Sequence, residues 1–323
     1  MQVRRAGGRR FSDPDVVALI DRSGEGLDPY AFVEQKTQEL LQKLAAFDSS
    51  SSSPFQRICY LASIEGFDVR PMSDQARTQE ERDAMLVATK SAARRGLIVY
   101  NPRRQETRTV HSIAHEIIHS FFPNSDVGAQ FRSGHKAGTG PAPELELLCD
   151  YGAAELTMPR VEFAQAVEEI GFGLEYIDAV RQRFGTSFEA SAYRLATTSP
   201  LPVAVGLFHY RLAKGQLAKP QQGALFPEKQ RSIEVTPKYR RQSFHHSRTY
   251  PTSLLLPWNK SLPIHSAPYR AAESGRLETG NETIAGRGTA TGLFSIQSIR
   301  APYQPKFAVP EWPSMIVLLS LLQ

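Results

Sequence analysis

Cysteine is nearly missing from this chain: Cys59 and Cys149 are the only two in 323 residues. Two thiols build no disulfide framework and suit a reducing compartment. Long apolar runs are missing too. The longest late one, "MIVLLSLL" (Met315 to Leu322), is far too short to span a bilayer and reads as a terminal strand or short buried segment. No Lys/Arg-led apolar leader with a small-residue cleavage site is present, so secretion is not expected and the cytoplasm is the expected location. Aspartate disappears after Asp178. From Leu217 onward 13 Lys/Arg face 6 Glu and no Asp, a local charge of +7 that leaves about −2 for everything before. Such a basic half offers contact with nucleic acid or an acidic partner, or else an ordinary solvated surface.

The remaining composition is that of a globular protein, 41% hydrophobic and 22% charged, long enough for one large domain or two smaller ones. Residues 1–11, with four arginines and no acid before Phe11, read as a disordered basic arm. Helices are expected at "SDPDVVALIDR", capped by Ser12, and at "DPYAFVEQKTQELLQKLAAF", capped by Asp28 with Pro29 in the first turn. "DSSSSSP" is a short linker. A helix over 55–64 should stop at Gly66, followed by strands at "FDVRPM", "DAMLVATK" and "RGLIVYNP". "FPNSDVGAQFRSGHKAGTGPAP" is a Gly/Pro-rich loop long enough to suggest a functional rim. Helical patterns then run from "ELELLCDYGAAELTM" to "SFEASAYRLATT". The character turns β-like past "LPVAVGLFHYRLAKG", which places a domain boundary near 215–235 and a basic, β-leaning C-terminal domain at 235–323. There is no internal repeat.

One stretch carries chemistry. "TVHSIAHEIIHSFFP" holds His111, His115 and His119 at a spacing of four, with Glu116 among them. Residues four apart on an α-helix differ by roughly 40° and 6 Å, so two imidazoles converge on one ion and a third, another turn away, does not. Glu116 selects the pair: His115-Glu-Ile-Ile-His119 is an H-E-x-x-H arrangement, two zinc ligands and a glutamate general base. His111 is left as a packing or outer residue. An open position for water needs a third protein ligand from elsewhere. Glu146, with Asp150 one turn on to accept a hydrogen bond from a ligand imidazole, is the first candidate. Glu144, on another column of the same helix, is its competitor.

The combination of "TVHSIAHEIIHSFF" with "ELLCDYGAAELTMP" resembles the ImmA/IrrE family of zinc metallopeptidases, whose active helix H-E-L-G-H precedes a helix of the pattern E-x-x-A-N-x-F-A-A-x-L-L-M-P. "GLIVYNP" and "RFGTSFEASAYRLA" extend the resemblance over about residues 54–212. It implies an α+β, zincin-like core over residues 12–215, with a small antiparallel sheet, the active helix and a helical subdomain bringing the third ligand. It places Glu146 on the ligand glutamate and Asp150 on the family asparagine, around one Zn²⁺ held with His115 and His119. It implies a zinc endopeptidase acting on a helix-turn-helix repressor in transcription or stress regulation. A non-catalytic regulator, or a DNA- or partner-binding module on the same fold, is the alternative. Three positions depart from the pattern: Ile118 stands for the usual glycine, Gly152 for phenylalanine, and His111 for an aromatic or apolar residue.

Other residues carry weaker readings. Tyr100, Tyr151, His209 and Tyr210 are candidates for stabilising a developing oxyanion. His135 lies in the long loop. Cys149, in place of a small family residue, reads as buried packing, and His245 with His246 as part of a basic surface.

Overall fold

The structure, a computed structural model, describes residues 4–23, 27–46, 52–72, 83–88, 95–122, 144–212, 236–302 and 312–322. It is α+β, and the chain packs as two compact units: Met1–Glu162 with Gln182–Ser187, and Phe163–Arg181 with Phe188–Gln323. This packing division falls well before the 215–235 suggested by composition. The reason is that Val203–Arg211, ahead of the composition change, is already a strand of the second unit's sheet.

The first unit opens with a hairpin, β1 (Arg4–Ala6) and β2 (Arg9–Phe11), paired Arg4↔Phe11 to Ala6↔Arg9. The expectation of a disordered arm over 1–11 is therefore corrected for residues 4–11. Gly7 and Gly8, at φ +54° and +75°, make the two-residue turn that such a hairpin requires. Ala6 and Phe11 are buried in the core, which anchors an otherwise polar strand pair. Helices α1 (Pro14–Ser23), α2 (Pro29–Ala45) and α3 (Pro54–Ile64) follow. The side chain of Asp13 accepts from Asp15 N and Val16 N, so Asp13 caps α1 where Ser12 had been expected. Asp28 caps α2 as read from sequence, and Ser53 with Gln56 forms a reciprocal capping box on α3.

Strands β3 (Phe67–Pro71), β4 (Ala84–Ala88) and β5 (Gly96–Tyr100) form a sheet in the order β3-β5-β4. The expected antiparallel sheet is corrected to a mixed one. β4 and β5 are successive and pair antiparallel, whereas β3 lies on the far side of β5 and runs parallel to it. Past β5, the buried Asn101 accepts the Arg103 N–H at 3.0 Å, an Asx turn that reverses the chain into α4 (Glu106–His119). Helix α5 (Glu144–Thr157) packs across α4 and α2. Val33, Leu40, Ile58, Leu61, Ile113, Ile117, Ile118 and Leu148 fill the core between them. Residues 123–143, the loop read as a functional rim, lie outside the described residues, His135 included.

Helix α6 (Arg160–Ile170) spans the division. The second unit continues with a 3₁₀ turn at Leu174–Tyr176, α7 (Ile177–Phe184), of which Gln182–Phe184 pack with the first unit, α8 (Phe188–Thr198) and β6 (Val203–Arg211). Then come β7 (Lys238–His246), α9 (Ala267–Ser274), β8 (Glu278–Ala285), β9 (Thr291–Arg300) and β10 (Met315–Leu321). Its sheet is antiparallel throughout, in the order β7-β6-β10-β9-β8. The apolar run "MIVLLSLL" is thus the central strand. Met315 through Leu319 are all buried, as a strand covered on both faces demands.

Candidate metal centre

Helix α4 packs its apolar stripe, Val110, Ile113, Ala114, Ile117 and Ile118, into the core and turns its histidine column toward α5. Exposure falls along that column, from 45% for the His111 side chain to 16% for His115 and 8% for His119. On α5, Glu146 and Asp150 face them. His115 Nε2 lies 3.1 Å from His119 Nε2 and 3.2 Å from Glu146 Oε2, and His119 Nε2 lies 3.6 Å from Glu146 Oε1. Three donors from two helices therefore converge on one point.

The spacing suits a metal ion. Tetrahedral bonds of about 2.0–2.1 Å require donor–donor separations of about 3.3–3.4 Å, in the middle of the observed 3.1–3.6 Å. The donor set of two imidazoles and a carboxylate is a borderline-hard one that zinc takes readily. The other nitrogen of His115 is engaged as well. Nδ1 lies 2.9 Å from Asp150 Oδ1, so an Nδ1–H donated to this carboxylate leaves the Nε2 lone pair aimed at the centre. His111 Nε2 sits 3.6 Å from the same Asp150 oxygen and points at this carboxylate from the exposed end of the column.

Electrostatics agree with a site that holds positive charge. Burial opposes charging His115, but the hydrogen-bonded carboxylates of Asp150 and Glu146 outweigh it and raise its pKa to about 10. Glu146 is lowered, first by the hydrogen bond from His115. Burial works against the Asp150 carboxylate, yet His111 and His115 bring its pKa below the usual range.

Glu144 is occupied elsewhere. Its carboxylate accepts Ser12 N at 2.6 Å, Ser12 Oγ at 3.0 Å and Asp13 N at 2.8 Å, which ties the start of α5 to the start of α1. Those donors overcome burial and lower its pKa. Of the two acids at the head of α5, only Glu146 reaches the histidines. Glu116 lies on α4 beside the pair, and its Oε2 accepts the backbone N–H of Leu86 at 2.9 Å, on the edge strand β4.

Two departures from the family pattern turn out to be in contact. A Cβ on Gly152 would meet Ile118 Cδ1 and Cγ1 at 2.8 Å and Val33 Cγ1 at 2.7 Å. The bulk that Ile118 adds on α4 occupies the space that glycine leaves on α5, so the helices still approach closely enough to bring Glu146 to the histidines.

The oxyanion candidates have other contacts. Tyr100 packs edge-on to Phe55, and the Tyr151 hydroxyl donates to Glu34. His209 hydrogen-bonds Ser314 Oγ at 2.7 Å and Tyr210 stacks on Trp312, both in the second unit. His245 stacks on Tyr193 and His246 bonds the Ser247 carbonyl; neither belongs to a three-donor cluster among the described residues. Cys149, read from sequence as buried packing, is also close to the pair, which that reading did not include. It is fully buried, and its Sγ and the donor nitrogens of His115 and His119 all lie within 4.8 Å of one another. The signal was its place one turn after Glu146 and directly before Asp150, on the same face of α5.

The first unit is thus a mixed α+β unit with an H-E-x-x-H helix opposite a glutamate helix, and a candidate metal centre between them. Residues 66–196, from the turn before β3 into α8, match the family model of the IrrE N-terminal-like domain, Peptidase_M78. Among solved structures, a Mycobacterium tuberculosis transcriptional regulator is 13% identical, with 91% of this chain and 92% of that one covered and a TM-score of 0.44. No curated protein matches the chain.

Proposed function

We propose that the chain is a cytoplasmic zinc-dependent endopeptidase of zincin-like architecture. The observation that carries this reading is the convergence of His115 Nε2, His119 Nε2 and the Glu146 carboxylate at 3.1–3.6 Å, with Glu116 alongside. His115, His119 and Glu146 are the metal ligands, and Asp150 orients His115. When bound, one Zn²⁺ supplies Lewis acidity, polarising a peptide carbonyl and lowering the pKa of water at the site. Glu116 would be the general base, taking a proton from the attacking water and passing it to the departing amine. The Leu86 N–H fixes one oxygen of Glu116, so the base works from a held position.

The substrate assignment rests on the family likeness: a regulatory protein of the helix-turn-helix repressor type, whose cleavage would release transcription in a stress response. Cys59 and Cys149 are not joined in a disulfide, which fits a reducing cytoplasm. No helix among the described residues is long and apolar enough to cross a membrane. Nucleic-acid contact through the basic half has less to support it, since several arginines there are used internally. Arg240 donates to the carbonyls of Arg211 and Asn259, Arg270 to those of His265 and Thr279, and Arg300 to that of Ala272.

The test is bound zinc and cleavage of a candidate repressor, compared in wild type and Glu116→Gln. The expected result is one zinc in each and cleavage reduced about 10²–10⁴-fold in the variant. Equal cleavage by both would sink the mechanism. Zinc binding and repressor binding without cleavage by the wild type would leave the non-catalytic regulator instead.

A further inference from the structure

Cys149 is the one buried donor at this centre to which the reading above gives no task. On α5 it stands between Glu146 and Asp150 at i+3, and all three face the histidine column of α4. It is fully buried, and its neighbours include two ring nitrogens within 4.8 Å as well as aliphatic side chains. Thiolate is a strong zinc donor, with a metal–sulfur bond of about 2.3 Å, longer than the nitrogen and oxygen bonds. The two ring nitrogens and the sulfur lie within 4.8 Å of one another, close enough to be considered donors to one ion.

We propose that Cys149 is a fourth ligand of the metal, joining His115, His119 and Glu146. The inference rests on the reading of this centre as a zinc site. On ligation the thiol proton passes to solvent and a sulfur–metal bond forms; no electron is transferred. Four protein donors close the coordination shell, whereas a catalytic site keeps a position open. The thiolate-bound form is therefore a resting form that stores the ion, and the site opens when Cys149 leaves it.

The test uses the full chain with Cys59 replaced by Ser, so that Cys149 is the only thiol, loaded with Co²⁺. The expected spectrum has visible cobalt bands together with a near-ultraviolet thiolate-to-cobalt charge-transfer band. Cys149→Ala, which restores a small residue at this position, should keep the visible bands and lose the near-ultraviolet one. Its affinity for the ion should fall at least about tenfold, the loss typical of a mere outer partner. Visible bands without a charge-transfer band in the parent would overturn Cys149 ligation and leave the metal site standing. No cobalt binding at all would overturn the metal site and the inference with it.

Discussion

The two units use buried polar groups in opposite ways. In the second, polar side chains reinforce the backbone: Arg240 and Arg300 donate to carbonyls, Tyr239 to Pro313, and Ser247 accepts from Val203. Each such bond satisfies a partner that would otherwise cost about 1–3 kcal/mol. In the first, the polar groups converge on one another. His115, His119 and Glu146 turn donor atoms toward a common point, and Asp150 holds the other ring nitrogen of His115. The difference separates polar burial that stabilises a sheet from polar burial that builds a site.

That contrast breaks most visibly in the second unit's centre. Leu319 is fully buried on β10, and Leu319→Ala should cost about 2–5 kcal/mol. Both tryptophans, Trp258 and Trp312, belong to this unit, so urea unfolding followed by tryptophan fluorescence reads the loss. Zinc affinity at unchanged fold should not move; if it does, the two kinds of polar burial are not independent.

In the first unit the helix contact is the sensitive place. Gly152→Ala gains about 1 kcal/mol of helix propensity but forces a methyl against Ile118 and Val33, an overpacking cost of about 1–3 kcal/mol. The clash involves side chains on two different helices, so cost should win and the protein should be less stable. Adding Ile118→Ala should recover part of the loss, with a coupling of about 0.5–3 kcal/mol in a double-mutant cycle. Strict additivity would mean the two positions do not compensate.

Asp150→Asn keeps the shape but removes the charge that holds His115 Nδ1. Zinc affinity should fall about 10–100-fold, measured by chelator competition, with the helical circular-dichroism melting curve unchanged. An unaltered affinity would reduce Asp150 to a surface acid.

The smallest effect is acid sensitivity of the second unit. Burial, assisted by Arg211, lowers the pKa of His209 from 6.5 to about 4. Folding therefore prefers the neutral ring. As pH falls below about 6.5 the unfolded chain takes up the proton first, and stability declines until about pH 4. The melting temperature should drop by a few degrees over that interval, and His209→Gln should flatten the slope. An equal slope in the variant would place the sensitivity elsewhere.

Much of the site is legible in the sequence because its logic is local. The spacing of His115, Glu116 and His119 on one helix follows from 3.6 residues per turn, and Glu146 with Asp150 repeats that spacing on the next helix. Apolar periodicity likewise marks the helices, and the unbroken run from Met315 announces a strand covered on both faces. What sequence reasoning lacked was long-range pairing. Nothing in "FDVRPM" says that β3 runs parallel to β5, and nothing in "RRAGGRRF" says that Ala6 and Phe11 find a core to bury in. Ser12 and Asp13, more than 130 residues away, hold the Glu144 carboxylate, and Glu146 is the acid that lies against the histidines. The fit of Ile118 to Gly152, and the approach of Cys149 to two imidazoles, arise where α4 and α5 cross. Helical period fixes which residues share a face. Only the packing of one face on another decides which of them touch, because contact between helices depends on the volume of every side chain in the layer.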